Sequence, residues 1–136
     1  MPMTGRCLCG SISYTCDRDP VLTGVCHCRD CQRQTGAASS IVVAVPAGSL
    51  QISGDTLSST FTVGDAHGTH TNRYFCTNCG SPIVSRIDGM PEIEFIKAGT
   101  LDDTSQLQPT IEFYVRSAQP WESAVPGAQR NETVPA

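Results

Sequence analysis

The sequence predicts a mainly β fold of folded sheets with very little helix, and three observations predict it. Eight or so short runs are alternating or β-branched, turn residues recur about every ten positions, and no long stretch follows the 3.6-residue period of a helix. Seven of the eight cysteines fall into three clusters, Cys7-Leu8-Cys9, Cys26-His27-Cys28-Arg29-Asp30-Cys31 and Cys76-Thr77-Asn78-Cys79. Their spacing is that of metal ligands. At 136 residues the chain is expected to be one domain over residues 1–122, followed by an irregular, proline-containing tail over 123–136.

In chain order, Gly10 breaks the bend after the first pair, and Ser11 to Cys16 alternates with Ile12, Tyr14 and Cys16 on one face. Asp17-Arg18-Asp19-Pro20 is turn chemistry, and Val21 to Val25 reads as a strand that delivers Cys26 at its end. Asp30 to Thr35 can form a helical turn or two, ended by Gly36. The run Ile41-Val42-Val43-Ala44-Val45 suits a strand covered on both faces, at the centre of the core. Pro46 and Gly48 close it, Leu50 to Ser53 restarts a strand, and Leu57 to Val63, rich in Ser and Thr, reads as a solvent-facing hairpin arm. Gly64 to Gly68 is a loop, and Thr69 to Phe75 leads back as a strand into Cys76. Gly80 supplies an unhindered backbone after the last pair. Ser81 to Ser85, Glu92 to Lys97 and Ile111 to Val115 complete the strands, and Trp121 is expected to pack the C-terminal segment onto the sheet.

The totals exclude several functions. The net charge is −4, and the nine Lys and Arg are spread along the chain, which disfavours nucleic-acid and anionic-membrane partners. No apolar stretch approaches the ~20 residues that span a bilayer. The first residues carry no signal-type segment, so the chain is expected in the cytoplasm, where thiols stay reduced. Eight cysteines there point to metal before disulfides. Apolar content of 39% is lean, which makes a metal contribution to stability more important.

Zinc explains the grouping. Tetrahedral coordination with Zn–S bonds of about 2.3 Å places sulfurs roughly 3.8 Å apart, a spacing that C-x-x-C and C-x-C segments reach from tight bends. Cys7, Cys9, Cys76 and Cys79 read as a closed, structural site that ties the start of the chain to its middle. Cys26, Cys28 and Cys31 read as an open site, because three thiolates leave a fourth position for water or a substrate thiol. Two zinc ions per chain follow. The duller reading of the triplet is weak binding, partial occupancy, or a disulfide between two of its members.

These same residues carry a resemblance. Gly5 to Gly10, Cys26 to Ala37 and Arg73 to Ser81, in this order and at these distances, closely resemble the glutathione-dependent formaldehyde-activating enzyme family. The resemblance covers Gly5 to Trp121. It implies an Mss4-like fold, a structural zinc on Cys7, Cys9, Cys76 and Cys79, and a second zinc on Cys26, Cys28 and Cys31 where a substrate thiol binds. It also implies carbon–sulfur lyase chemistry, the reversible joining of glutathione or a similar thiol to formaldehyde or another aldehyde. Many relatives carry a histidine where Glu112 stands, so a carboxylate takes that place here.

Making or breaking a hemithioacetal requires a proton carrier, and His27 and Glu112 are the candidates beside the three cysteines. His27 also reads as an exposed loop residue. His67 and His70 read as solvated, Cys16 as a small buried hydrophobe at a strand end, and Arg29, Arg33 and Arg73 as partners for ligand carboxylates or as solvated charges. Two other functions compete with the lyase. One is a non-enzymatic zinc module that holds a partner protein. The other is methionine sulfoxide reduction, which wants a late isolated cysteine, and none follows Cys79.

Overall fold

The structure is a computed structural model that describes residues 2–66 and 68–134. The expectation for His67 therefore lies outside the described residues. Among the described residues there are two sheets, one short α-helix and two single 3-10 turns. The first sheet joins β1 (Met3–Arg6), β2 (Ser13–Cys16) and β5 (Leu50–Ser53) in the order β1-β2-β5, all antiparallel. β2 alternates as its sequence requires, with Tyr14 and Cys16 buried and Ser13 and Thr15 exposed.

The second sheet is built from β3 (Leu22–Cys26), β4 (Ser40–Pro46), β6 (Leu57–Val63), β7 (His70–Cys76), β8 (Pro82–Ile87), β9 (Ile93–Lys97), β10 (Ile111–Phe113) and β11 (Gln129–Arg130). Its order is β11-β10-β3-β4-β9-β8-β7-β6. β10 runs parallel to both β3 and β11, and the other pairings are antiparallel. β4 lies mid-sheet between β3 and β9, and Val42, Val43, Ala44 and Val45 are all buried. A β-branched run does this because both of its faces are covered. The helix α1 (Arg29–Thr35) falls between β3 and β4.

The sheets meet through side chains. Tyr14 and Cys16 from the small sheet, with Ile12 just before β2, join Val43, Val45, Ile83, Val84 and Ile96 from the large one in a single core. Each fully buried aliphatic there contributes about 1.5–3 kcal/mol relative to exposure. Cys16 is a core residue, as its position at the end of an alternating strand implies. β6 and β7 form the exposed arm, on which His70 stacks against Phe61 with ring centroids 4.2 Å apart.

Two expectations are corrected. The tail is not irregular throughout: β11 adds to the sheet edge, and the amides of Tyr114 and Val115 donate to Thr133 and Asn131. A two-residue strand has no sequence period of its own, and it forms because β10 leaves an edge to pair. Trp121 does not pack onto the sheet. Its surface is 71% exposed, beside α1. Among the described residues no helix is long and apolar enough to cross a membrane.

Candidate functional site

Two tight turns bring four sulfurs together. Cys7 and Cys9 lie in the bend between β1 and β2, while Cys76 ends β7 and Cys79 lies in the turn from it to β8. Each turn ends on a glycine with left-handed backbone, Gly10 (φ 81°) and Gly80 (φ 79°), whose amides donate back to the carbonyls of Cys7 and Cys76. Cys7 and Cys9 Sγ are 3.6 Å apart, and Cys9 and Cys76 Sγ are 3.8 Å apart across 67 positions of sequence. All four sulfurs lie within 4.8 Å of one another. These separations match the edge of a zinc tetrahedron, about 3.8 Å, so this donor set fits zinc.

The surroundings favour thiolate. The Ile12 amide donates to Cys7 Sγ. The Ser81 hydroxyl is the main group holding the Cys79 thiol down at about 5, and Ser11 is the main one holding Cys9 at about 7. Burial pushes the enclosed Cys7 thiol up instead.

Cys26, Cys28 and Cys31 also converge, with all three sulfurs within 4.8 Å of one another. Cys26 ends β3, and Cys28 caps α1, its sulfur accepting from the Cys31 amide at 3.3 Å. The helix starts at this sulfur, and its first turn carries Cys31 back to its neighbours. Three thiols this close cannot all ionise unaided. The Cys26 thiol is pushed far up, first by the proton it shares with Cys28, then by Cys31 and burial. At Cys31 the contact with Cys26 favours the thiolate, but Cys28 and burial outweigh it and the thiol rises to about 11. A divalent cation reconciles three such thiolates, so the donor chemistry fits a metal here too. Among the described residues the group that can hold it has three members, not four.

His27 is buried, not an exposed loop residue. Its Nε2 lies 2.8 Å from Oε1 of Glu112, which is itself fully buried on β10. The parallel pairing of β3 with β10 sets this contact, with Glu112 opposite Val25 and Phe113 opposite Cys26. Burial works against the Glu112 charge, but the His27 contact, the Val125 amide and the Arg130 guanidinium outweigh it and hold the carboxyl below the usual carboxylate range. An ionised carboxylate only accepts, so Nε2 is the nitrogen that donates to it. Nδ1 is buried with no protein partner.

The network extends further. Gln32 on α1 donates to the carbonyls of His27 and Ser117. Asp30 receives the amides of Asp65 and Ala66, both at 3.0 Å, which ties the turn of the β6–β7 arm to α1. Tyr114 follows β10 with left-handed backbone (φ 56°), and its buried phenol is raised by burial and then by Cys28 and Cys26. Arg29 and Arg33 line an open cleft of about 330 Å³ together with Gln119 and Trp121. Arg73 donates to Thr62 on the arm.

The seven sulfurs that the spacing grouped are therefore brought together, as are His27 and Glu112. Sequence reasoning missed Arg130, placed by β11, and Lys97, whose buried ammonium ends β9. The available signal for Lys97 was its place on the same alternating phase as Ile93 and Phe95.

Replacing Glu112 by glutamine is expected to destabilise the fold by about 3 kcal/mol at neutral pH, because it leaves His27 and Arg130 facing a neutral amide. The carboxyl's pKa is lowered by folding, so its contribution is present above the ordinary carboxylate value and is lost as pH falls through the lowered one. Urea unfolding should thus show the gap between the two proteins closing in acid. An equal gap at every pH would contradict the assignment.

A family profile described as glutathione-dependent formaldehyde-activating enzyme matches residues 2–117. No curated protein matches the chain in sequence. Among solved structures, a crystal structure of a Rhodobacter sphaeroides protein is similar, with 18% identity and a TM-score of 0.61 over 76% of this chain and 92% of that one. At that identity the likeness shows a shared fold.

Proposed function

The chain belongs to the glutathione-dependent formaldehyde-activating enzyme family, and from this premise we propose that it is a carbon–sulfur lyase. Its substrate is the adduct of a small thiol, glutathione or a similar one, with formaldehyde or another aldehyde. The observation that carries this reading is the contrast between the two cysteine groups, four converging sulfurs in one and three in the other. The first closes a coordination sphere, and the second leaves a place for a sulfur from outside. Cys7, Cys9, Cys76 and Cys79 hold a structural zinc in this scheme, and Cys26, Cys28 and Cys31 hold the second. Zinc at the second site supplies a positive charge that favours the thiolate form of an incoming thiol.

The protein's own groups handle the proton. In the joining direction the thiol sulfur attacks the aldehyde carbon, a C–S bond forms, the carbonyl π pair moves to oxygen, and that oxygen takes a proton. In the cleaving direction the hydroxyl of the adduct gives up its proton, C=O re-forms and the C–S pair leaves with sulfur. His27 is the proton carrier in this proposal. Glu112 fixes its tautomer with the proton on Nε2, so Nδ1 is a buried acceptor with no other task.

The test is the rate of adduct formation from glutathione and formaldehyde, followed by NMR against the uncatalysed reaction. A rate well above background is expected, and His27→Asn should lower it by about 10²-fold or more while zinc content is unchanged. A rate equal to background with several thiols and aldehydes would favour the interaction module instead.

A further inference from the structure

Lys97 is 8% exposed. An ammonium taken out of water costs several kcal/mol unless opposite charge repays it. Its hydrogen bond is to a neutral group, the Ser40 hydroxyl at 2.7 Å, and among the described residues it forms no ion pair with a carboxylate. Strand register shows where the compensation lies. Ser40 pairs with Cys26 across β3 and β4, and Lys97 pairs with Val42 two residues along β4. The side chain thus leans along β4 from Val42 to Ser40, to the end of the sheet where Cys26 leaves β3. Burial lowers the pKa of the ammonium, and the charge of Cys31, then those of Cys26 and Cys28, oppose that, while Arg73 adds to it. The effect is mutual, since Lys97 favours the thiolate at Cys31.

Three thiolates around a divalent cation carry one net negative charge, and a fourth thiolate makes it two. A fixed cation behind the site cancels the first and halves the second. We propose that Lys97 is the counter-charge of the Cys26–Cys28–Cys31 centre, a positioning residue pinned by Ser40 that strengthens metal retention there and admits an anionic sulfur as fourth ligand. This rests on the reading of the triplet as a metal site.

The experiment is competition for zinc with a chromophoric chelator on the full chain, comparing the parent with Lys97→Met, Lys97→Gln and Lys97→Arg. The parent is expected to release zinc in two steps. Lys97→Met and Lys97→Gln should weaken the step belonging to the triplet about 10–100-fold and leave the four-cysteine step in place, while Lys97→Arg, which keeps the charge, should stay close to the parent. With cobalt in place of zinc, the spectral change on adding glutathione should weaken in the neutral variants and survive in Lys97→Arg. Triplet affinity unchanged in a folded neutral variant would overturn the proposal and leave the lyase reading intact. Equal loss from both sites would also overturn it, because that marks a packing role. A parent with a single zinc step would overturn both. If Lys97→Met does not fold, Lys97→Gln decides, since its amide keeps a donor for Ser40.

Discussion

Replacing Cys76 by serine is expected to leave the chain without a stable fold. Cys76 is fully buried, its sulfur lies 3.8 Å from that of Cys9, and it accepts or donates a contact with the Thr56 hydroxyl at 3.3 Å. The free energy of binding a structural zinc, about 10–16 kcal/mol in small zinc domains, is of the same size as the whole net stability of a domain, about 5–15 kcal/mol. This core is lean, and four sulfurs bridge its two sheets, so little remains to hold the sheets together once the tetrahedron is broken. The measurement is the dispersion of the amide NMR spectrum, with a strong chelator added to the parent protein as the parallel treatment. Well-dispersed spectra in both samples would show that packing alone suffices.

Cys28→Ser should behave in the opposite way, keeping the fold and losing the chemistry. Its sulfur caps α1, and a serine hydroxyl is a better helix cap than a thiol, so the helix start survives the change. As one of three ligands, its loss should weaken the metal by more than the 10–100-fold seen when an outer partner is removed. Zinc content should therefore fall from about two per chain to about one, and adduct formation should return to the uncatalysed rate. Metal analysis with the NMR rate assay checks both. Full activity with one zinc per chain would remove the triplet from the reaction, and unfolding would mean that it is structural.

The legible parts of this protein are the ones whose cause is local. Sulfur spacing within Cys26–Cys31 and Cys76–Cys79 is set by a few backbone angles, so the ligand groups could be read from the chain itself. The β-branched run at Val42–Val45 announced a strand buried on both faces for the same kind of reason. What sequence reasoning missed depends on contacts between distant positions. His27 and Glu112 are 85 positions apart, and only the parallel pairing of β3 with β10 makes the histidine a buried partner instead of a loop residue. Met3–Arg6 has no apolar alternation and forms β1 because Ser13–Cys16 offers it an edge. Gln129–Arg130 is a strand for a similar reason. Lys97 looks like the solvated end of a strand until Ser40 and the cysteines are placed around it.

The division between the two sheets has a consequence for how the molecule breathes. A ladder contact of Gly5 with Leu101 and hydrogen bonds from the Asp102 amide to Thr4 and between the Tyr14 and Thr100 hydroxyls link the small sheet to the chain beyond β9, and the core side chains and the four-sulfur knot hold the rest of it. Opening fluctuations should therefore come in two tiers: with the knot intact only the margins of the small sheet fray at low cost, and when the knot is lost the sheet lifts and the fold goes with it. The triplet, with β3, α1 and β10, lies entirely on the other side of that seam. Wear on the fastening of the fold is thereby kept apart from the place where sulfur is exchanged.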